Sequence, residues 1–353
     1  MLFGYPIAAT AENWLHECLV EMVQTIHANH ANHAGRQVAL AWPDIIPAAH
    51  RDTLHRRTGL YDRLAQYSAA AGKLSVPERQ QVLACIVQQN RIADLVTCST
   101  DCDSLSDLPK AIQAPVAELF AFELLTGLGV RNRHYHAIYT AVPYHVCPFC
   151  GCEYFDAPGA PREDLDHYLP KSLYPFAAAN LRNLVPMGMK CNERYKLAQD
   201  ILRDAAGGRR RSFDPYADRH LKVVLDNSVP FGGADGQTPD WQINFDPDSV
   251  ESTTWDNVFH VRERIKRDVL DSSFWQWLRD FSAWFKKRMS IADPGDAEVL
   301  DAMRTYAEDM ALTGLTAREF LRAPVFQMLH RHCKAGNQRV LALMKDVVAM
   351  AVP

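Results

Sequence analysis

Asp166 and His167 stand side by side in the run LDHYLP, and Asn192 follows in the pair Cys191-Asn192. In an extended chain, adjacent side chains point to opposite faces unless the strand ends or bulges. An Asp-His pair at a strand end can therefore set a carboxylate on a metal and an imidazole on a nearby water. Asn192 adds a neutral oxygen. Asp166 and Asn192 with waters make a sparse oxygen site suited to Mg2+ or Mn2+, with room left for a phosphate. Phosphodiester hydrolysis needs a base for the water, positive charge on the phosphorane and help for the leaving oxygen. His167 serves as the base because neutral imidazole is well populated near pH 7. The metal serves the other two needs as a Lewis acid.

A softer metal environment overlaps this one. Cys147 and Cys150 form a C-x2-C knuckle, and Cys191 opens the segment that carries Asn192. On a helix, neighbours differ by about 100°, so Cys191 can face a structural zinc while Asn192 faces the catalytic ion. The chain has nine cysteines, an odd number scattered through 353 residues, which is no disulfide framework. Cys18, Cys85, Cys98, Cys102 and Cys333 read as small packing residues, with Cys98 and Cys102 in a polar loop.

The run DLDHYLPKSLYP, then NLVP, then CN and YK, resembles the HNH endonuclease family, whose core is a ββα-metal fold often stapled by zinc. The resemblance spans residues 145–216, about a fifth of the chain, and its joint spacing is far more specific than a lone DH. It implies that Asp166 binds the metal, His167 is the general base, Asn183 orients the loop and the histidine, and Asn192 is the second metal ligand. Lys196, one turn on, is then a phosphate contact. The sequence departs from the family at Gly188, where zinc-stapled relatives carry a cysteine. Cys152 or His145 would complete a tetrahedron; without either, the module rests on packing alone. More distantly, the arrangement is similar to HNH subunits of Septu-type antiphage systems, which implies an ABC-type ATPase partner.

The formal charge of −4 offers no global attraction for a polyanion, so any nucleic-acid surface is local. From Arg182 to Arg211 there are eight basic and three acidic residues, a local net of +5. Arg194 and the run Arg209-Arg210-Arg211 join Lys196 as expected phosphate contacts on DNA, with RNA left open. A second basic stretch, Arg262 to Arg288, interleaves Trp and Phe residues that read as helix-packing core rather than base-stacking platforms. His134, Tyr135 and His136 read either as lining a substrate path or as the end of a helix.

The elements expected to position these groups are mostly helical. Residues 1–140 read as an all-helical region, with helices over 11–34, 52–71, 76–96 (Ser75 as N-cap, Pro77 in the first turn) and 115–128, stopped by Gly129. His27, His30 and His33 drift around the first helix and read as a solvated helix end in preference to a histidine-lined metal site. On the helix after Pro186, Asn192, Lys196 and Gln199 share a face. Residues 141–216 form the turn-rich HNH module. Residues 217–353 begin with strands LKVVL and WQINF and continue as helices from Asn257 to Met289 and at 296–312, 316–331 and 336–349. The expected class is α+β, mainly helical, with a central ββα-metal, treble-clef-like module between helical regions. Hydrophobic residues at 48% and charged residues at 23% fit a globular chain, and no window reads as a leader or membrane span, so a soluble cytoplasmic protein is expected, with homo-oligomers allowed. The functional expectation is an HNH endonuclease hydrolysing DNA, possible as an antiphage effector. The alternative is a catalytically inactive, zinc-stapled module that binds nucleic acid or a partner.

Overall fold

The structure is a computed structural model that describes all residues except 33–38, 122, 161–164, 219, 290, 292 and 351–353. The chain packs into two compact units: Gly4–His145 with Tyr154–Asp218, and Met1–Phe3 with Val146–Glu153 and Arg219–Pro353. Helices dominate both, and among the described residues the sheets are two antiparallel pairs. The α+β, mainly helical class holds.

In the first unit the long helices are α1 (Trp14–Asn32), α2 (Thr58–Ala71), α3 (Val76–Gln89), α4 (Lys110–Phe120) and α5 (Val130–Ala141). Ser75 caps α3 in a capping box with Glu78, as its sequence implies. The helix expected over 76–96 breaks at Asn90, whose amide donates to the Ile86 carbonyl and accepts from Asn180, competing with helical continuation. Helix α4 begins five residues before Pro115 and carries that proline inside it. Burial of Ile112, Val116, Leu119 and Phe120 offsets the one lost hydrogen bond. Gly129, at φ +67°, ends the preceding turn as expected, and the run RNRHYH continues as the full helix α5 rather than a helix end.

The apolar stripes of α1 to α4 share one core with Phe176, Ala178, Ala179, Leu181 and Leu184. Residues on both sides of the expected boundary at 140/141 therefore pack as one body. That core also corrects the reading of α1. His27 and His30 are buried, not solvated: Nε2 of His27 lies 2.8 Å from the Tyr67 hydroxyl and Nε2 of His30 lies 2.9 Å from the Ser68 carbonyl. Gly72 admits the His30 ring, since a Cβ there would sit 2.9 Å from it. His33 lies outside the described residues.

Strands β1 (Leu165–His167) and β2 (Leu184–Pro186) pair antiparallel, with Asp166 opposite Val185 and His167 opposite Leu184. A single π-helical turn, Cys191–Lys196, follows them. It ends at Leu197, whose φ of +49° no longer continues a helix, so Gln199 does not share the face of Asn192 and Lys196 as expected.

The second unit pairs β3 (Lys222–Val224) with β4 (Asn244–Asp246), close to the expected strands. Ser249 then caps α6 (Val250–Phe259). Short helical turns lead into α7 (Asp271–Met289), α8 (Asp296–Thr313), α9 (Glu319–Lys334) and α10 (Gln338–Ala349), near the expected positions. Phe281, Tyr306 and Phe326 pack with ring centroids 4.7 to 5.2 Å apart, and Phe274, Trp277 and Phe285 are buried, so these aromatics of the basic stretch are core, as expected, whereas Trp275 is exposed. No single helix among the described residues is long and apolar enough to cross a membrane.

Candidate functional site

Two strands of three residues are marginal alone, and side chains from elsewhere in the first unit hold them. Arg131 of α5 donates to the Leu165 carbonyl at 2.9 Å, and His134, one turn on, sits 2.9 Å from the Leu184 carbonyl through Nε2. The Tyr216 hydroxyl donates to the same Leu184 carbonyl and the Tyr5 hydroxyl to that of Pro186. His134 is buried, and burial holds its imidazole below the usual histidine range. It braces the strands.

Asn183 is fully buried just before β2. Its Oδ1 accepts from the Leu169 N–H at 2.7 Å, its Nδ2 donates to the Leu169 carbonyl at 3.0 Å, and its own carbonyl accepts from Tyr168 N–H at 2.8 Å. Both faces of one amide thus clamp the loop that leaves His167. This is a positioning role, the one the family resemblance implies.

His167 is half-buried at the end of β1. Its Nε2 lies 3.0 Å from the Ala178 carbonyl. A carbonyl only accepts, so Nε2 carries the proton and Nδ1 keeps its lone pair. Nδ1 makes no hydrogen bond among the described residues. Burial pushes the imidazole pKa down to about 4, with Lys171 and Lys196 adding to the fall and Asp166 opposing it. The ring is therefore neutral at pH 7. The carbonyl that orients it belongs to a segment gripped by amide side chains: Gln89 accepts from Phe176 N–H at 3.0 Å, and Asn13 accepts from Leu181 N–H at 2.9 Å.

Asp166 Oδ2 is buried and accepts no hydrogen bond, although Lys196 Nζ lies 2.8 Å from it. The ammonium directs its hydrogen bond instead to the His167 carbonyl, at 2.7 Å, so the contact with Asp166 is an ion pair without hydrogen-bond directionality. Lys196 is 1% exposed. The expected phosphate contact at Lys196 is corrected on this ground: its charge is spent inside the module. The side chain of Asn192 is half-buried and makes no hydrogen bond among the described residues. Its carbonyl accepts from Leu197 N–H at 2.9 Å, the i to i+5 bond of a π turn, an irregularity frequent at functional sites. A carboxylate oxygen lacking a hydrogen bond and an unengaged amide fit a divalent cation of the Mg2+ or Mn2+ kind.

Arg209 and Arg210 also differ from expectation. Arg209 donates to the carbonyls of Leu95, Thr100 and Leu202 at 2.8 to 3.0 Å, and Arg210 to that of Asp200. They tie the segment after the π turn to the helical part of the unit, instead of projecting from a flexible loop. Arg194 and Arg211 are exposed.

The C-x2-C knuckle belongs to the second unit. Cys150 N–H and Gly151 N–H both reach the Cys147 carbonyl, at 3.2 and 2.8 Å, and Cys152 N–H points to Cys150 Sγ at 3.4 Å. Gly151 is required: its φ is +69°, and a Cβ would meet Phe320 at 2.5 Å and Leu2 at 2.6 Å. Residues far downstream build the seat. Trp255 donates to the Phe149 carbonyl at 3.1 Å, Phe149 packs on Phe259, and buried Arg264 lies 3.5 Å from Glu153, whose carbonyl accepts from Cys147 N–H. The Cys152 N–H directed at Cys150 Sγ is the kind of contact that steadies a sulfur ligand of a soft cation. The expected fourth ligands each make contacts of their own. Cys152 Sγ donates to the Cys150 carbonyl at 3.3 Å, and the contact with the Cys150 thiol, with burial, pushes its thiol pKa up. His145 stacks on Tyr139 at 3.8 Å with Nε2 3.0 Å from the Tyr139 carbonyl. Cys191 is buried at the head of the π turn.

No family model matches the chain, and no curated protein and no solved structure matches it.

Proposed function

We propose that this chain is a metal-dependent endonuclease of the HNH type that hydrolyses phosphodiester bonds in DNA. The observation that carries this reading is the state of His167. Its Nε2–H is fixed on the Ala178 carbonyl, its Nδ1 is unengaged, and its neighbour Asp166 presents a carboxylate oxygen without a hydrogen bond. Nδ1 of a neutral, oriented imidazole is a competent base for a water attacking phosphorus. Asp166 and Asn192 would hold Mg2+ or Mn2+, which supplies Lewis-acid stabilisation of the charged phosphorane and the leaving oxygen when bound. Asn183 keeps the loop, and with it the histidine, in register. Arg194 and Arg211 are the basic side chains placed at the surface to meet phosphate.

A structural zinc is proposed at the knuckle of Cys147 and Cys150, both buried free thiols; Cys191 is a zinc ligand on the family resemblance alone. An ABC-type ATPase subunit is the partner proposed on the Septu-type resemblance, in an antiphage role.

One observation favours a second reading. The Asp166–Lys196 ion pair would also suit an inactive module, in which the lysine neutralises a carboxylate that no longer binds metal. Nicking of supercoiled plasmid by the purified protein separates the two. Nuclease function requires nicking that depends on Mg2+ or Mn2+, stops with EDTA and is lost in Asp166→Ala. No nicking by the protein, alone or with a co-purified ATPase, leaves the binding module as the better reading.

A further inference from the structure

Lys196 is among the most buried large side chains of the chain, although lysine is among the residues least often buried. Its Nζ sits 2.8 Å from Asp166 Oδ2 and 2.7 Å from the His167 carbonyl. The charges around the candidate metal position can therefore be added. Asp166 contributes one negative charge, Lys196 cancels it, and Asn192 and the imidazole of His167 are neutral. The protein offers a divalent ion no net negative charge, and a fixed cation faces the carboxylate that would bind it. Hard divalent cations owe their affinity largely to ligand charge, and Mg2+ commonly relies on substrate phosphates to complete its site.

We propose that Lys196 is a built-in counter-ion that keeps the Asp166–Asn192 site from holding a divalent ion in the free protein, so that the ion enters together with a nucleic-acid phosphate. The phosphate supplies the negative charge that Lys196 has removed. This rests on the nuclease reading and adds the order of binding to it. Lys196 acts through Asp166 and is a positioning residue. It also explains how a buried lysine can stand beside a catalytic carboxylate without marking a dead site. In the free protein, the pair satisfies both charges inside the fold. A bare Asp166 would instead be a buried, unpaired carboxylate.

The test is equilibrium Mn2+ binding by the full-length protein, read from the electron paramagnetic resonance of free Mn2+. Wild type is expected to bind Mn2+ with a Kd in the millimolar range. Lys196→Met is expected to bind at least tenfold more tightly without nucleic acid. A lysine that only staples the turn to β1 would give the opposite, weaker binding on removal. Lys196→Gln, which can still donate to the His167 carbonyl, carries the test if the Met variant fails to fold, with the same tightening expected. In a His167→Ala background, which leaves the substrate intact, a duplex oligonucleotide should tighten Mn2+ binding at least tenfold. Tight Mn2+ binding by wild type alone, or no tightening in either Lys196 variant, overturns the proposal and leaves the nuclease reading standing. No Mn2+ binding by any form, with or without the oligonucleotide, overturns both.

Discussion

The clamp made by Asn183 offers a quantitative test of how the site is held. Replacing it with Leu keeps a similar volume but removes both hydrogen bonds to Leu169, at 2.7 and 3.0 Å, in a spot the solvent does not reach. Each buried backbone group left without a partner costs about 1–3 kcal/mol. Two such groups, partly relieved by relaxation of the loop, give a loss of about 3 kcal/mol for Asn183→Leu. Because the chain forms two units, a global unfolding curve would blur this loss. Amide hydrogen exchange at Leu169 reads it directly, since Asn183 Oδ1 is the acceptor for that N–H. If opening of the loop governs exchange, about 3 kcal/mol corresponds to exchange faster by about 100-fold in the variant. A change below about threefold would refute the reasoning, because the clamp would then contribute almost nothing to holding the loop.

Other outcomes follow from the same structure. His16, His27 and His167 are each held at a pKa of about 4 by burial, against an ordinary 6.5. The unfolded chain binds their protons first, so the stability they contribute is present above about pH 6.5 and is lost as pH falls toward 4. At pH 5 the loss is about 2 kcal/mol per histidine relative to pH 8, and urea unfolding followed by a probe in the first unit should show it; His27→Gln should flatten the slope. Gly151→Ala forces a side chain into a left-handed backbone and onto Phe320, and should cost about 2–4 kcal/mol and lower the zinc content measured by elemental analysis. Arg264→Met leaves Glu153 without its buried partner and should destabilise the second unit by about 3 kcal/mol in thermal unfolding, whereas Arg288→Met, on an exposed ion pair, should change it by less than about 1 kcal/mol.

The helices, the strands at 222–224 and 244–246 and the candidate Asp-His pair were legible in the sequence because each rests on local pattern: apolar spacing, a capping box, alternation, two adjacent residues. What was not legible depends on contacts between distant segments. His27 and His30 look like a polar helix end until α2 packs over them and Gly72 makes room. Lys196 looks like a surface base because no local pattern shows a lysine reaching a strand carboxylate thirty positions upstream. Asn13, Gln89 and Asn90 stand at helix ends, where amides commonly face water, yet they grip the segment that orients His167. Arg131 and His134, three apart on α5, carried a signal, since that spacing puts two hydrogen-bonding side chains on one helical face. The surroundings of the knuckle were not legible either: Cys147 and Cys150 stand beside the central module in the chain, yet Trp255 and Phe259 contact Phe149 between them, and Arg264 lies beside Glu153.

The central claim is that His167 is the general base of a phosphodiesterase, and its most direct measurement is the single-turnover rate of plasmid nicking by wild type and His167→Ala at saturating Mn2+ and pH 7.5. Loss of a positioned base should slow the variant by about 10²–10⁴-fold while its fold and Mn2+ binding in the presence of DNA persist. Nicking by His167→Ala at the wild-type rate would contradict the account.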